Sequence, residues 1–278
     1  MPVRIVQSKQ NDRLKELRRA LRQDGAGTSG LVAIEGPNLL AEAQRTGLKV
    51  VRIFAAQESA HLLDDLPSGP ETDVLLLPRG LLCSALATEA PQPIAALVEP
   101  QSWTWDKLLG STSSDAPLLL VLCGLQDPGN VGTILRSAEA FGAAGVITLP
   151  GTVNVWNQKA LRASAGSVFR VPILRASLDE CMLRLRDAGL KAWAATIRNA
   201  TPVADVALDR PVALLIGNEG NGVPAAVLAK ADGAITIPCP GPVESLNAAV
   251  AASILLYEAA KQRAAVAQSP SGASIKQQ

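Results

Sequence analysis

The chain has 278 residues, a net charge of +1, one histidine, four scattered cysteines and only 3% aromatic residues, while 48% of its residues are hydrophobic. That length favours two domains over one, and the hydrophobic share is ample for real cores. No CxxC pair occurs among Cys83, Cys123, Cys181 and Cys239, so the sequence argues against a zinc site and for reduced, packed thiols of an intracellular protein.

The opening residues MPVRIVQSKQNDRLKELRR contain no apolar core of a secretory signal, and no uncharged apolar run is long enough to suggest a membrane span. Residues 9–24 read as a helix, with Leu14, Leu17 and Leu21 on one face and the basic residues Arg13, Arg18, Arg19 and Arg22 interspersed around them. The first 24 residues carry a net +4, which leaves −3 for the rest. Taken by itself, such a charge run reads first as a solvated helix face; it is also a handle for an anionic partner such as RNA. GLVAIEG reads as a buried strand. PNLLAEAQRTG then reads as a helix opening at Pro37 and stopping at Gly47. VVRIFAA, DVLLLP and the stretch around Ile94–Val98 complete a strand-rich first domain, 1–98. Residues 99–116, which carry Ser, Thr, Gly and Pro with little periodicity, read as a linker.

After the linker the strand–helix alternation restarts: PLLLVLCGL, a helix over NVGTILRSAEAFG, AGVITLPG, a helix over LDECMLRLRDAG, then LKAWAATI, PVALLIG and AITIP, and a last helix from about Leu246 to Arg263. This pattern predicts an α/β fold with a mostly parallel sheet over 117–263. The tail, 264–278, is small and polar and reads as disordered.

In open parallel sheets ligands bind beyond the carboxyl ends of the strands. Three such ends carry unusual loops. In GLQDPGNVGTILRSAEAFG, Asn130 is a candidate helix cap, and Arg136 taken alone reads as an exposed helix residue. The glycine spacing there fits neither a dinucleotide nor a P-loop fingerprint. LLIGNEGNGVP places Glu219 among three glycines, which a mobile loop would also explain. IPCPGPVESLNAAVAASILLYE stiffens its approach with prolines and sets Glu244, Ser245 and Asn247 at a helix entrance. Ser245 capping explains one polar residue there, not three.

DPGNVGTILRSAEAFG, LLIGNEGNGVP and IPCPGPVESLNAAVA, in that order, resemble the motifs of the SpoU (TrmH-type) RNA ribose 2′-O-methyltransferases of the SPOUT superfamily. KALRASAGSVFRVP is a weaker fourth match, and GLVAIEGPNLLAEAQRTG looks like part of an L30e-like RNA-binding domain. The resemblance implies a deep trefoil knot, S-adenosylmethionine as cofactor, no metal, a cytoplasmic homodimer joined through the C-terminal domain, and 23S rRNA as the expected substrate. Transfer RNA, or a non-catalytic ribosome-assembly role, stands as the alternative. It assigns catalysis to Asn130, Arg136, Glu219, Ser245 and Asn247. Cofactor contacts fall to Leu215, Gly217, Asn218, Gly220, Ile237, Pro238, Leu246 and Asn247. RNA contacts fall to Arg13, Arg18, Arg19, Arg22, Arg136 and Arg162. Cys239, where the family often has a methionine nearby, is expected to be a packed, inert thiol.

Overall fold

A computed structural model describes residues 3–22, 30–64, 71–86, 88–110 and 116–268. The chain divides into two units, Met1–Ser102 with Asn154–Arg170, and Trp103–Val153 with Val171–Gln278.

In the first unit the elements are β1 (Val3–Ile5), α1 (Asp12–Arg22), β2 (Val32–Glu35), α2 (Pro37–Arg45), β3 (Val50–Ala56), β4 (Asp73–Leu77), α3 (Arg79–Cys83) and β5 (Ile94–Val98). The strands form one sheet in the order β1-β4-β3-β5-β2. β1, β4 and β3 pair in parallel, and β5 runs antiparallel to both β2 and β3. Leu14 and Leu17 of α1, one turn apart, are fully buried in this unit's core, and Leu21 packs against it from the edge. β2 is buried at every position, including Glu35, whose Oε1 accepts hydrogen bonds from Thr88 Oγ1 and the Gln92 N–H. The Glu35 Oε2 is buried without a hydrogen-bond partner among the described residues, so only one of the two oxygens is satisfied.

The second unit contributes α4 (Trp105–Gly110), β6 (Leu118–Cys123), α5 (Pro128–Ala140) and β7 (Gly145–Thr148). The chain then supplies α6 (Gln158–Ser164), which lies in the segment belonging to the first unit. There the Gln158 side chain donates to the Ala33 carbonyl, Arg170 pairs with Glu42 at 2.6 Å, and Trp156 stacks near Phe169. The sequence reading had placed these residues with the second domain. The partners of Gln158 and Arg170 lie more than a hundred positions away in the chain, so local pattern could not reveal them.

The remaining elements are β8 (Ile173–Arg175), α7 (Leu178–Asp187), β9 (Lys191–Ala195), β10 (Thr201–Pro202), β11 (Val212–Gly217), α8 (Ala225–Leu228), β12 (Gly233–Thr236) and α9 (Ala248–Gln268). The second sheet has the order β10-β12-β9-β11-β6-β7-β8, and every pairing is parallel. β6 and β11 are buried along their whole length, which accounts for the unbroken runs LLLVLC and VALLIG. Leu119, Val121, Cys123, Ala213 and Leu215 share a core with Cys181, Met182 and Leu185 of α7. Strand alternation turns Leu118, Leu120 and Leu122 to the opposite face. α5 and α9 pack side by side, joined by a 2.7 Å hydrogen bond between the Ser137 and Ser253 hydroxyls and by an edge-on contact of Phe141 with Tyr257.

The linker expectation needs correction over part of its length. Residues 105–110 are helical, Leu108 is fully buried in the second core, and the Trp105 indole N–H donates to Glu180. The approach is tight: a Cβ on Gly145 would lie 2.1 Å from Leu108 Cδ1 and 2.8 Å from the Pro172 carbonyl oxygen. Gly145→Ala is therefore expected to destabilise the protein by about 1–3 kcal/mol through overpacking. Urea denaturation measures this, and an unchanged midpoint would contradict the packing described. The last helix also runs five residues past its predicted end, to Gln268. Near that end Arg263 donates to the carbonyls of Leu208, Ala116 and Arg210, pinning α9 to the segments that enter β6 and β11. The disorder expected for 269–278 concerns residues outside those described.

Candidate active site

The carboxyl ends of β6, β9, β11 and β12 point the same way, because the strands are parallel, and their loops meet there. After β6 the chain turns at Gly124 and enters α5. Asp127, not Asn130, is the helix cap: its Oδ1 accepts from the Gly129 N–H (2.5 Å) and the Asn130 N–H (3.1 Å). Pro128 fixes the first helical position, so the cap falls one residue before it. Asn130 already lies inside the helix, and its side chain is free for other work.

β11 ends in Gly217, from which the loop doubles back. Asn218 and Gly222 exchange backbone hydrogen bonds, each 2.9 Å. A Cβ at Gly217 would sit 2.1 Å from the carbonyl carbon of Gly222 and 2.2 Å from the Val223 nitrogen, so only glycine fits this approach. β12 runs into the exposed, proline-rich loop that leads to α9. The cap of α9 is Asn247, whose Oδ1 accepts from the Ala249 (2.9 Å) and Val250 (3.2 Å) N–H groups. Ser245 does not cap. It lies two residues too early, is exposed, and has no hydrogen-bond partner among the described residues.

These loops build one polar chain. The Asn247 side-chain NH₂ donates to Asn130 Oδ1 at 3.1 Å, and the Asn130 NH₂ donates to Glu219 Oε1 at 2.8 Å. A carboxylate only accepts hydrogen bonds, so Glu219 fixes which way the Asn130 amide faces, and Asn130 in turn orients Asn247. Three residues, from the first turn of α5, the loop after β11 and the cap of α9, are thereby held in register at the mouth of the sheet.

The other predicted residues divide as follows. Arg136 lies on the exposed side of α5, and among the described residues it makes no hydrogen bond or ion pair; it is not joined to the Asn130–Glu219–Asn247 chain. Gly220 and Pro238 are exposed, and Ile237 and Leu246 are half-buried along the loops. The Leu215 side chain is fully buried in the core shared with α7, so this residue offers a ligand no side-chain contact. In the first unit Arg13 pairs with Asp73 at 2.7 Å, Arg18 donates to the Lys9 carbonyl, and Arg19, Arg22 and Arg162 are exposed.

Sequence reasoning missed the loop after β9. Because β9 lies between β11 and β12, Thr196–Ala200 stands between the two chosen loops; the Thr196 N–H is bonded to the Ile235 carbonyl, Ile197 is exposed and Asn199 has a φ of +51°. Only the strand order would have revealed it.

Burial pushes the Cys123 and Cys181 thiols up to about 12, so both are un-ionised packing groups. Cys239 differs from expectation. It is exposed on the loop after β12, with its thiol directed to the Ile237 carbonyl, because the surrounding prolines hold that loop out from the core. Among the described residues no group of three or more His, Cys, Asp or Glu could hold a metal ion, and no helix is long and apolar enough to cross a membrane.

A parallel sheet whose carboxyl ends carry a fixed polar chain and close-packed backbone loops has the ligand-binding edge of an α/β fold. Residues 117–257 match the SpoU rRNA Methylase family. The chain is 33% identical over 254 residues to the 23S rRNA (guanosine(2553)-2′-O)-methyltransferase RlmP of Bacillus subtilis, covering 91% of this chain and 97% of that protein. Its fold is similar to the AdoMet-bound rRNA methyltransferase from Sinorhizobium meliloti, with a TM-score of 0.81, 27% identity, and coverage of 93% and 98% of the two chains. It is also similar to the SpoU methyltransferase AviRb from Streptomyces viridochromogenes in complex with AdoMet, with a TM-score of 0.79, 28% identity, and coverage of 92% and 99%. The chain belongs to the SpoU rRNA methylase family.

Proposed function

We propose that this protein transfers a methyl group from S-adenosylmethionine to a ribose 2′-hydroxyl of 23S rRNA. The observation that carries the reading is the Asn130–Glu219–Asn247 chain set beside the doubled-back loop at Gly217.

The residues present suit the cofactor. Gly220 is exposed, Gly217 lies buried under the returning Gly222–Val223 backbone and so sets the shape of the loop, and Ile237, Pro238 and Leu246 offer half-buried to exposed apolar surface. These five would hold it, with the prolines limiting the ordering cost of binding. When bound, S-adenosylmethionine supplies an electrophilic methyl on a sulfonium. A ribose hydroxyl attacks it well only as its proton is shared or its developing charge is met. Arg136 does this as a standing cation: it grips the RNA phosphate and stabilises the forming alkoxide, while the hydroxyl proton passes to solvent water. A guanidinium carries only donors and has no acceptor for a proton, so Arg136 is not read as the base. Asn130 and Asn247, locked by Glu219, orient the ribose, and Ser245 lies free to meet it.

Arg136→Lys is expected to keep turnover within about tenfold of the parent, whereas Arg136→Ala loses about 10²–10³-fold in kcat. Equal loss in both would assign Arg136 a bidentate or proton-accepting role instead.

The first unit is the RNA-binding module, of the L30e-like kind. With so few aromatic residues for stacking, it recognises RNA through shape and phosphate, using Arg19, Arg22 and Arg162. Its affinity should fall steeply with salt. The protein works in the cytoplasm, where its substrate is. The loops after β11 and β12 would form the trefoil knot of the superfamily. The exposed Val250 and Tyr257, with Ile254 and Thr133, line an apolar groove between α5 and α9 that a second copy would cover in a homodimer.

A further inference from the structure

Asn218 opens the loop after β11, and its side chain is engaged within the protein. Its NH₂ donates to the Gly124 carbonyl at 2.9 Å, and its Oδ1 accepts from the Gly220 N–H at 2.8 Å and the Asn221 N–H at 3.4 Å. Three of its four hydrogen-bonding positions are thus used. The sequence reading assigned it to the cofactor.

The partners matter because of where they lie. β6 and β11 are paired along their length, from Leu118 with Val212 to Cys123 with Gly217, and then diverge. The Asn218 amide ties the two departing loops together again. One of them carries Glu219. The other passes from Gly124 through the Asp127 cap to Asn130. Gly124 is itself held from the far side: its N–H donates to Thr152 Oγ1 at 3.0 Å, and that hydroxyl donates to the Leu122 carbonyl at 2.9 Å. The backbone exchange between Asn218 and Gly222, by contrast, does not involve the side chain. The shape of the loop at Gly217 and its spacing from Asn130 are therefore set by different bonds.

We infer that Asn218 is a positioning residue for methyl transfer: it fixes the distance between Glu219 and Asn130 and touches neither cofactor nor RNA. This rests on the function proposed above. It separates two properties that share the loop. Cofactor affinity follows the backbone at Gly217, and turnover follows the Asn218 amide.

Asn218→Asp tests it. The aspartate still accepts from Gly220 and Asn221, but it turns an oxygen toward the Gly124 carbonyl and breaks the tie. With cofactor and RNA saturating, kcat should fall about 10–100-fold, the scale of a small misplacement of reacting groups. The dissociation constant for S-adenosylmethionine by calorimetry should stay within about threefold, and the melting midpoint should hold. The double variant with Asn130→Ala should be no slower than Asn130→Ala alone, since residues acting through one another are not additive. Hydrogen exchange on the protein alone should speed up in peptides covering 124–130 and 218–222. Thr152→Val, which loosens Gly124 from outside the loop, should shift kcat in the same direction by less, and it stands in if the aspartate variant does not fold.

Unchanged kcat, fully additive losses or unchanged exchange would overturn the assignment. A tenfold weaker cofactor affinity would make Asn218 a cofactor contact instead. An inactive parent protein would sink the methyltransferase reading, and the exchange measurement would still decide the role of Asn218.

Discussion

Replacing Asn130 with alanine is expected to lower kcat by about 10²-fold or more while the melting midpoint stays within a few degrees of the parent. Both halves follow from its place on α5. The helix keeps its cap, because Asp127 supplies it, and alanine is the best helix former at an interior position. Asn130 is half-buried and fills no core, so its loss leaves no apolar cavity. What goes is the junction between Glu219 and Asn247, since it holds both through its single amide. Asn247 keeps its bonds to the Ala249 and Val250 N–H groups, so α9 still starts at the same residue, with its polar end no longer aimed. Steady-state kinetics beside a thermal melt separates these effects. Parent-like turnover would remove Asn130 from the mechanism, and a midpoint that falls along with turnover would make its role structural.

Gly217→Ala should be as damaging by another route. The added carbon would meet backbone, at 2.1 Å and 2.2 Å, where no side-chain rotation gives relief. The loop must open, and overpacking of this kind costs about 1–3 kcal/mol. If that cost falls on the shape that accepts the cofactor, affinity for S-adenosylmethionine drops by roughly 5–150-fold. The loss should appear in calorimetry without RNA, unlike the Asn130→Ala effect, which appears only in turnover. Parent-like affinity would mean that the cofactor does not depend on this turn.

The elements legible from sequence were those with long, unambiguous patterns. LLLVLC and VALLIG had to be buried strands, and Pro37 and Gly47 bracketed α2. The short elements were not legible: α4 has a single fully buried leucine, and β8 and β10, three and two residues long, have no period to read. Cap assignment failed for a specific reason. Asp127 and Asn130, and likewise Ser245 and Asn247, are all competent caps, and the chain's path decides between them. Pro128 carried the clue for the first pair. The chain of bonds among Asn130, Glu219 and Asn247 spans 89 and 117 positions and has no local signature. The motifs marked these residues as functional, but their contacts emerge only once three loops converge on one edge of the sheet.

The central claim is most directly tested by labelled methyl transfer from S-adenosylmethionine to total RNA taken from cells that lack this protein, separated into 23S, 16S and transfer RNA. The account predicts label in 23S rRNA, lost with Asn130→Ala. Label in transfer RNA would contradict the substrate assignment, and no label in any fraction, from protein that fails to bind the cofactor, would contradict the activity itself.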